Sequence, residues 1–187
     1  ARGRGGEGGV EAGVHGAGRG GVVKGVVVAV GVHAGQGVGR GVASLGAASV
    51  ALDAWQPYWN RLPPDAHLRD GGRYRQRRHG SFVIEGDSVT LAPHRAHWQP
   101  VEYNALHGGI ERWFQPLDTS LVADALWQRL LVMLGQRAAA LRGAQTFYTE
   151  AHQFRIDTAG GIGRPTPEGA HRDGVDLVAV MLMARSG

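Results

Sequence analysis

The chain has 187 residues, no cysteine and a formal net charge of +4. The length suffices for one domain of ordinary size with its own core. The lack of cysteine excludes disulfides, thiolate metal sites and thiol nucleophiles, and fits a reducing, cytoplasmic setting.

Residues 1–43 stand apart in composition. They use eight residue types and hold 16 of the 31 glycines, with no aromatic residue, leucine or isoleucine. Glycine at that density raises the entropy lost on ordering, and scattered valines return little burial, so the segment is expected to be disordered or loosely attached. It also has the look of a GC-rich reading frame not selected as protein, which makes an artefact an equal expectation; a glycine-rich tail and a targeting peptide are the rivals. No leucine-rich block ends in a small-residue cleavage site, which argues against a signal peptide. The stretch VVKGVVVAVGV (22–32) is long enough for one strand, but too short and glycine-broken to span a membrane. The segment carries five basic and two acidic groups, net +3, against fifteen and fourteen, net +1, in residues 44–187. The high pI therefore owes most to the N-terminal segment, and a nucleic-acid partner loses its main support.

From Ser44 the signals become those of a globular domain, taken as residues 44–187. SLGAASVALDAWQPYW (44–59) reads as a short amphipathic helix stopped by Pro57. A loop with Pro63, Pro64 and Gly71-Gly72 follows. RYRQRRHGSFVIEGDSVTLAP then predicts a hairpin: an alternating basic strand into Phe82-Val83-Ile84, a turn at Glu85-Gly86-Asp87, and a second strand through Val89 and Leu91. DTSLVADALWQRLLVMLGQRAAALRG predicts one long helix, capped by Asp118, Thr119 or Ser120, with Val122, Leu126, Leu130 and Met133 as its stripe and Gly143 as its stop. TFYTEAHQFRID reads as a strand, and HRDGVDLVAVMLMA as another. Leu177 to Met183 is apolar at successive positions, which predicts a central strand covered on both faces. No internal repeat is visible.

The loop between the last two strands holds His171-Arg172-Asp173. On an extended strand, residues i and i+2 share a face, so His171 and Asp173 would project side by side with Arg172 turned away. An imidazole nitrogen and a carboxylate oxygen so placed can reach one divalent ion at about 2.0–2.2 Å. With one more histidine they make the facial triad of non-haem Fe(II) oxygenases. Alone, His-x-Asp is weak, and a strand-start histidine bonded to a neighbour is the commoner case.

The surroundings change the balance. RYRQRR (73–78), HRAHWQP with Asn104 and HGGIERWFQPL (94–117), HQFRI (152–156) and PTPEGAHRDGVD (165–176) occur in an order and spacing that resembles the iron- and 2-oxoglutarate-dependent dioxygenases of the bacterial amino-acid hydroxylase type, which include an isoleucine hydroxylase. The resemblance covers roughly residues 55–187. It implies an α+β fold, mainly β with flanking helices, in the form of a partial double-stranded β-helix (jelly-roll or cupin-like). It implies Fe(II) bound by His171 and Asp173 as catalytic ligands, 2-oxoglutarate as cosubstrate, and hydroxylation or sulfoxidation of a small molecule, a free L-amino acid. The third ligand of the family, a histidine some tens of residues later, and the arginine that pairs with the far carboxylate of 2-oxoglutarate have no position here. The expectation is therefore an incomplete, C-terminally truncated domain without turnover of its own.

The remaining polar residues divide between chemistry and scaffold. Glu168 can contact the substrate amine or brace the loop from Pro165 to Gly169, and Arg155 is the other candidate substrate contact. His152 and Arg155 alternate out of phase, so a regular strand cannot turn both to one pocket. His94 and His97 have a spacing that suits a metal, but Pro93 and Pro100 bracket them, which favours strand or loop and a structural role. Arg73, Arg75, Arg77 and Arg78 read as ion-paired scaffold or substrate-carboxylate contacts. The competing class of function is a non-catalytic β-sandwich binding module, or a degenerate relative, in which His171-Arg172-Asp173 is structural.

Overall fold

The computed structural model describes residues 22–31 (backbone only), 54–158, 163 and 174–186. Five strands make one sheet, β1 (Val22–Gly31), β2 (Arg75–Glu85), β3 (Ser88–Leu91), β4 (Phe147–Asp157) and β5 (Leu177–Ser186), in the order β3-β2-β4-β1-β5. Every pairing is antiparallel. Among the described residues three helices, α1 (Gln56–Asn60), α2 (Thr119–Val122) and α3 (Ala125–Arg142), complete an α+β arrangement.

The predicted hairpin is present. Glu85 pairs with Ser88 across a two-residue turn, and Gly86 supplies the positive φ of 56° that such a turn needs. The predicted helix is present but broken: α2 ends at Val122, and α3 restarts at Ala125 with its own cap. The Asp124 carboxylate accepts from the N–H groups of Leu126 and Trp127, and the Asp118 carboxylate accepts from that of Ser120. Two aspartates six residues apart each satisfy free N–H donors, so two helix starts compete with one continuous helix. The buried face of α3 is Trp127, Leu130, Leu131, Leu134 and Ala138, while Leu126 and Met133 of the expected stripe are only partly buried. Gly143 ends the helix with φ 83°. Pro57 stands in the first turn of α1 and opens that helix, where its missing N–H costs nothing; the rest of the helix expected over 44–59 lies outside the described residues.

Two expectations about strands need correcting. Residues 22–31, a stretch long enough for one strand within a segment expected to be disordered or loosely attached, form β1, with β4 on one side and β5 on the other. The burial available within the segment alone is small. The ladder that two neighbouring strands offer satisfies backbone N–H and C=O groups whatever the side chains are, and valine suits an extended backbone. β5, predicted to be central, is an edge of the sheet. Leu177, Ala179, Met181 and Met183 pack against the core, whereas Val178, Val180 and Leu182 are exposed. A run of apolar residues reports what a strand can bury, not what the fold places over it.

The sheet has two unlike faces. On one, Phe82, Ile84, Phe147 and Ala151 meet Trp127, Leu131, Leu134 and Ala138 of α3, with Trp55 edge-on to Trp127 at 5.7 Å. A Cβ on Gly135 would stand 2.6 Å from Ile84 Cγ2, so glycine is what lets the helix approach this closely. On the other face, Arg75, Arg77, His79 and Ser81 of β2 alternate with those core residues, and the register sets Ser81 beside Glu150 and His79 beside His152. Residues 93–116 cross over this polar face.

Candidate functional site

The covering segment is held by its own polar groups. The backbones of His97 and Arg112 exchange hydrogen bonds of 2.9 and 3.0 Å. Beneath them the buried Gln99 Oε1 accepts from Asn104 Nδ2 at 3.0 Å and from Arg112 Nη2 at 2.8 Å, and the Asn104 side chain accepts from His107 N–H. At the lower end Asp65 and Arg75 form a buried ion pair of 2.8 Å, the scaffold role expected for that arginine. His94 Nε2 donates to Phe114 O at 2.8 Å. These bonds seat His97 and Phe114 over β2 and β4.

Four side chains converge there: His79 from β2, His97 from the covering segment, and Glu150 and His152 from β4, with one ligand atom from each lying within 4.8 Å of the others. His97 Nδ1 donates to Glu150 Oε2 at 2.7 Å, His79 Nε2 is 3.6 Å from Glu150 Oε1, and His152 Nε2 is 3.8 Å from Glu150 Oε2. The His79 and His152 rings stack at 4.6 Å, and Phe114 closes one side. Arg77 lies 4.2 Å from the Phe114 ring centroid and donates from Nη2 to His152 Nδ1 at 2.7 Å.

Burial sets the charge state. Desolvation pushes His97 down to about 4, and also lowers His79 and, further, His152; the nearby Arg77 guanidinium adds to the effect at each. All three imidazoles are therefore neutral near pH 7. Burial works to raise Glu150, but the ring nitrogens of His152, His79 and His97 that face it outweigh that and keep the carboxylate ionised far into acid. Arg77 is lowered to about 9, first by desolvation and then by Arg75, and remains a cation. The result is one carboxylate and three neutral nitrogen bases in a buried nest, a donor chemistry that suits iron, zinc, cobalt and related ions.

His171, Asp173 and Glu168 lie outside the described residues. Arg155 is on β4, opposite Gln76 and on the face that carries Ala151 and Gln153, and its Nη2 is 3.3 Å from Asp157 Oδ2. His152 takes the other face, as strand alternation requires. His94 and His97, considered as a pair, part company: His97 joins the cluster, while His94 holds Phe114 O and stands edge-on to Trp113. Sequence reasoning missed His79 and Glu150. The available signal was polar residues at alternate positions, 75, 77, 79 and 81 on one strand and 150 and 152 on another.

The 2OG-Fe dioxygenase family matches residues 56–187. The chain belongs to the 2OG-Fe dioxygenase family. Members of this dioxygenase family use Fe(II) and 2-oxoglutarate, and the nitrogen and carboxylate donors of the polar face are compatible with such an ion. The chain is also similar, at 57% identity with a TM-score of 0.62, to the crystal structure of a bsmA homologue from Methylobium petroleophilum PM1. That match covers 67% of this chain and 52% of the solved one, so the chain spans about half of that relative. No curated protein matches the chain. Among the described residues no helix is long and apolar enough to cross a membrane.

Proposed function

We propose that this chain contributes part of a cytoplasmic Fe(II)- and 2-oxoglutarate-dependent dioxygenase domain that hydroxylates a small molecule, a free L-amino acid, with His171 and Asp173 as catalytic iron ligands. The observation that carries the reading is the family match over residues 56–187, which includes the PTPEGAHRDG stretch. In such a domain the bound iron and 2-oxoglutarate supply the oxidising power. The protein positions the reactants and excludes water. The jelly-roll closure belongs to this proposal too. It is supported by a sheet whose helix-free face is lined by buried polar groups, as a domain with an internal site requires.

Glu168 is assigned to the substrate amine. Arg155 is engaged with Asp157 on the opposite strand face from His152, so a substrate contact from it would require that pair to open; bracing β4 is the role its surroundings support. The chain spans about half of the solved relative, so turnover is proposed for the completed domain.

Succinate release from 2-oxoglutarate, measured with a panel of L-amino acids, tests the proposal. It is run on this chain and on a chimaera completed with the remaining segment of the solved relative. Substrate-dependent release by the chimaera alone, lost in His171→Ala and Asp173→Ala, is the expected result. Release that survives both substitutions, or a folded chimaera with none, would refute it.

A further inference from the structure

His79 is nearly inaccessible to solvent, and neither ring nitrogen has a hydrogen-bond partner. Its Nε2 faces Glu150 Oε1 from 3.6 Å, beyond a hydrogen bond. A buried imidazole left this way forfeits the hydrogen bonds it makes in water, a cost that a ligand bound between the two groups would offset. We infer that His79, His97 and Glu150 form a binding site for a divalent transition-metal ion, with no ligand required from His171 or Asp173.

The geometry distinguishes ligands from supports. The ion sits against Glu150, between His79 Nε2 and His97 Nδ1. It takes the position of the proton that His97 Nδ1 now donates to Glu150 Oε2, and His97 carries that proton on Nε2 instead. His152 is not a ligand. Its Nδ1 accepts from the Arg77 guanidinium at 2.7 Å, so in the neutral ring the proton is on Nε2, the nitrogen turned towards Glu150. Arg77 thereby makes His152 a positioning residue that holds the carboxylate in place. Both imidazoles that remain are neutral, as metal binding demands.

The neighbouring cations select the kind of ion. Half-buried Arg77 and buried Arg112 stand beside the cluster, and Arg95 Nη2 is 3.4 Å from Glu150 Oε1. They oppose any dication equally through charge. A hard ion such as Mg²⁺, which binds through charge and oxygen, gains little from two imidazoles, whereas Zn²⁺, Co²⁺ or Fe²⁺ gains two nitrogen bonds.

The test uses the full chain carrying His171→Ala and Asp173→Ala, which removes the ligands of the proposed dioxygenase site and makes the outcome independent of it. Co(II) is added under equilibrium dialysis. One ion per chain is expected, displaced by Zn(II) and not by Mg(II). Glu150→Gln, nearly isosteric, and His79→Asn should each weaken binding tenfold or more. Because loss of a buried ring can unfold the chain, paramagnetic shifts of the histidine ring protons are recorded on the unsubstituted-cluster protein as well, and those of His79 and His97 should move most. No bound Co(II) in the folded background protein, unchanged binding in Glu150→Gln, or shifts confined to other histidines would overturn the assignment.

Discussion

Glu150 Oε2 accepts from His97 Nδ1 at 2.7 Å and so ties β4 to a segment 53 residues away in sequence. It is the shortest polar link between the sheet and its cover in the cluster, and Glu150 is the carboxylate that three buried imidazoles face. Glu150→Ala leaves those rings without their carboxylate, and Arg77 with Asp65 alone of the two carboxylates near it. Loss of about 2–4 kcal/mol is expected, measured by urea unfolding. A loss below about 0.5 kcal/mol would mean that the cluster contributes nothing to holding residues 93–116.

The same cluster makes the metal-free chain sensitive to acid. His97 titrates at about 4 in the folded chain against 6.5 unfolded, and His79 and His152 are lowered as well. Below pH 6.5 the unfolded chain takes up protons that the folded one refuses, so stability present above that pH falls as the pH drops towards 4. Each histidine contributes a slope of up to about 1.4 kcal/mol per pH unit. Glu150, whose folded value is depressed, adds stability present above about 4.5 that is lost in stronger acid. Unfolding free energies at pH 7.5, 6.5 and 5.5 should decline in that order, and a flat profile would contradict the burial of neutral rings.

Strand β1 joins β4 to β5. A proline at position 26 or 27 removes one backbone donor from a strand paired on both sides, where proline is not tolerated. Val26→Pro or Val27→Pro should lower the thermal midpoint by several degrees and expose the amides of β5 to hydrogen exchange. An unchanged midpoint would return residues 22–31 to the role of a dispensable tail.

Val180 and Leu182 are 61% and 63% exposed on the free face of edge strand β5. An uncovered apolar edge promotes self-association. Val180→Lys and Leu182→Lys should shift sedimentation towards monomer with a stability change within about 0.5 kcal/mol. Met181→Lys points into the core and should unfold the chain; equal behaviour of the three would show that the alternation along β5 is misplaced.

The sequence by itself determined what short-range chemistry can write. The hairpin at Gly86 follows from a turn residue between two alternating runs, the end of α3 from Gly143, and β4 from its own alternation. The family followed from a set of local motifs in order, of which PTPEGAHRDG was the most specific. What only the tertiary structure decided depends on partners distant in the chain. Pro57 can close one helix or open another, and the packing of Trp55 and Trp59 into the core selects the second. A valine run gains a strand's stability only when β4 and β5 flank it. Among the described residues the apolar run of β5 has β1 as its one sheet neighbour and so stands at an edge. His79, His97 and Glu150 come from three separate stretches, and no spacing announces them, because the feature that unites them is the register of β2 with β4 and a loop folded across both.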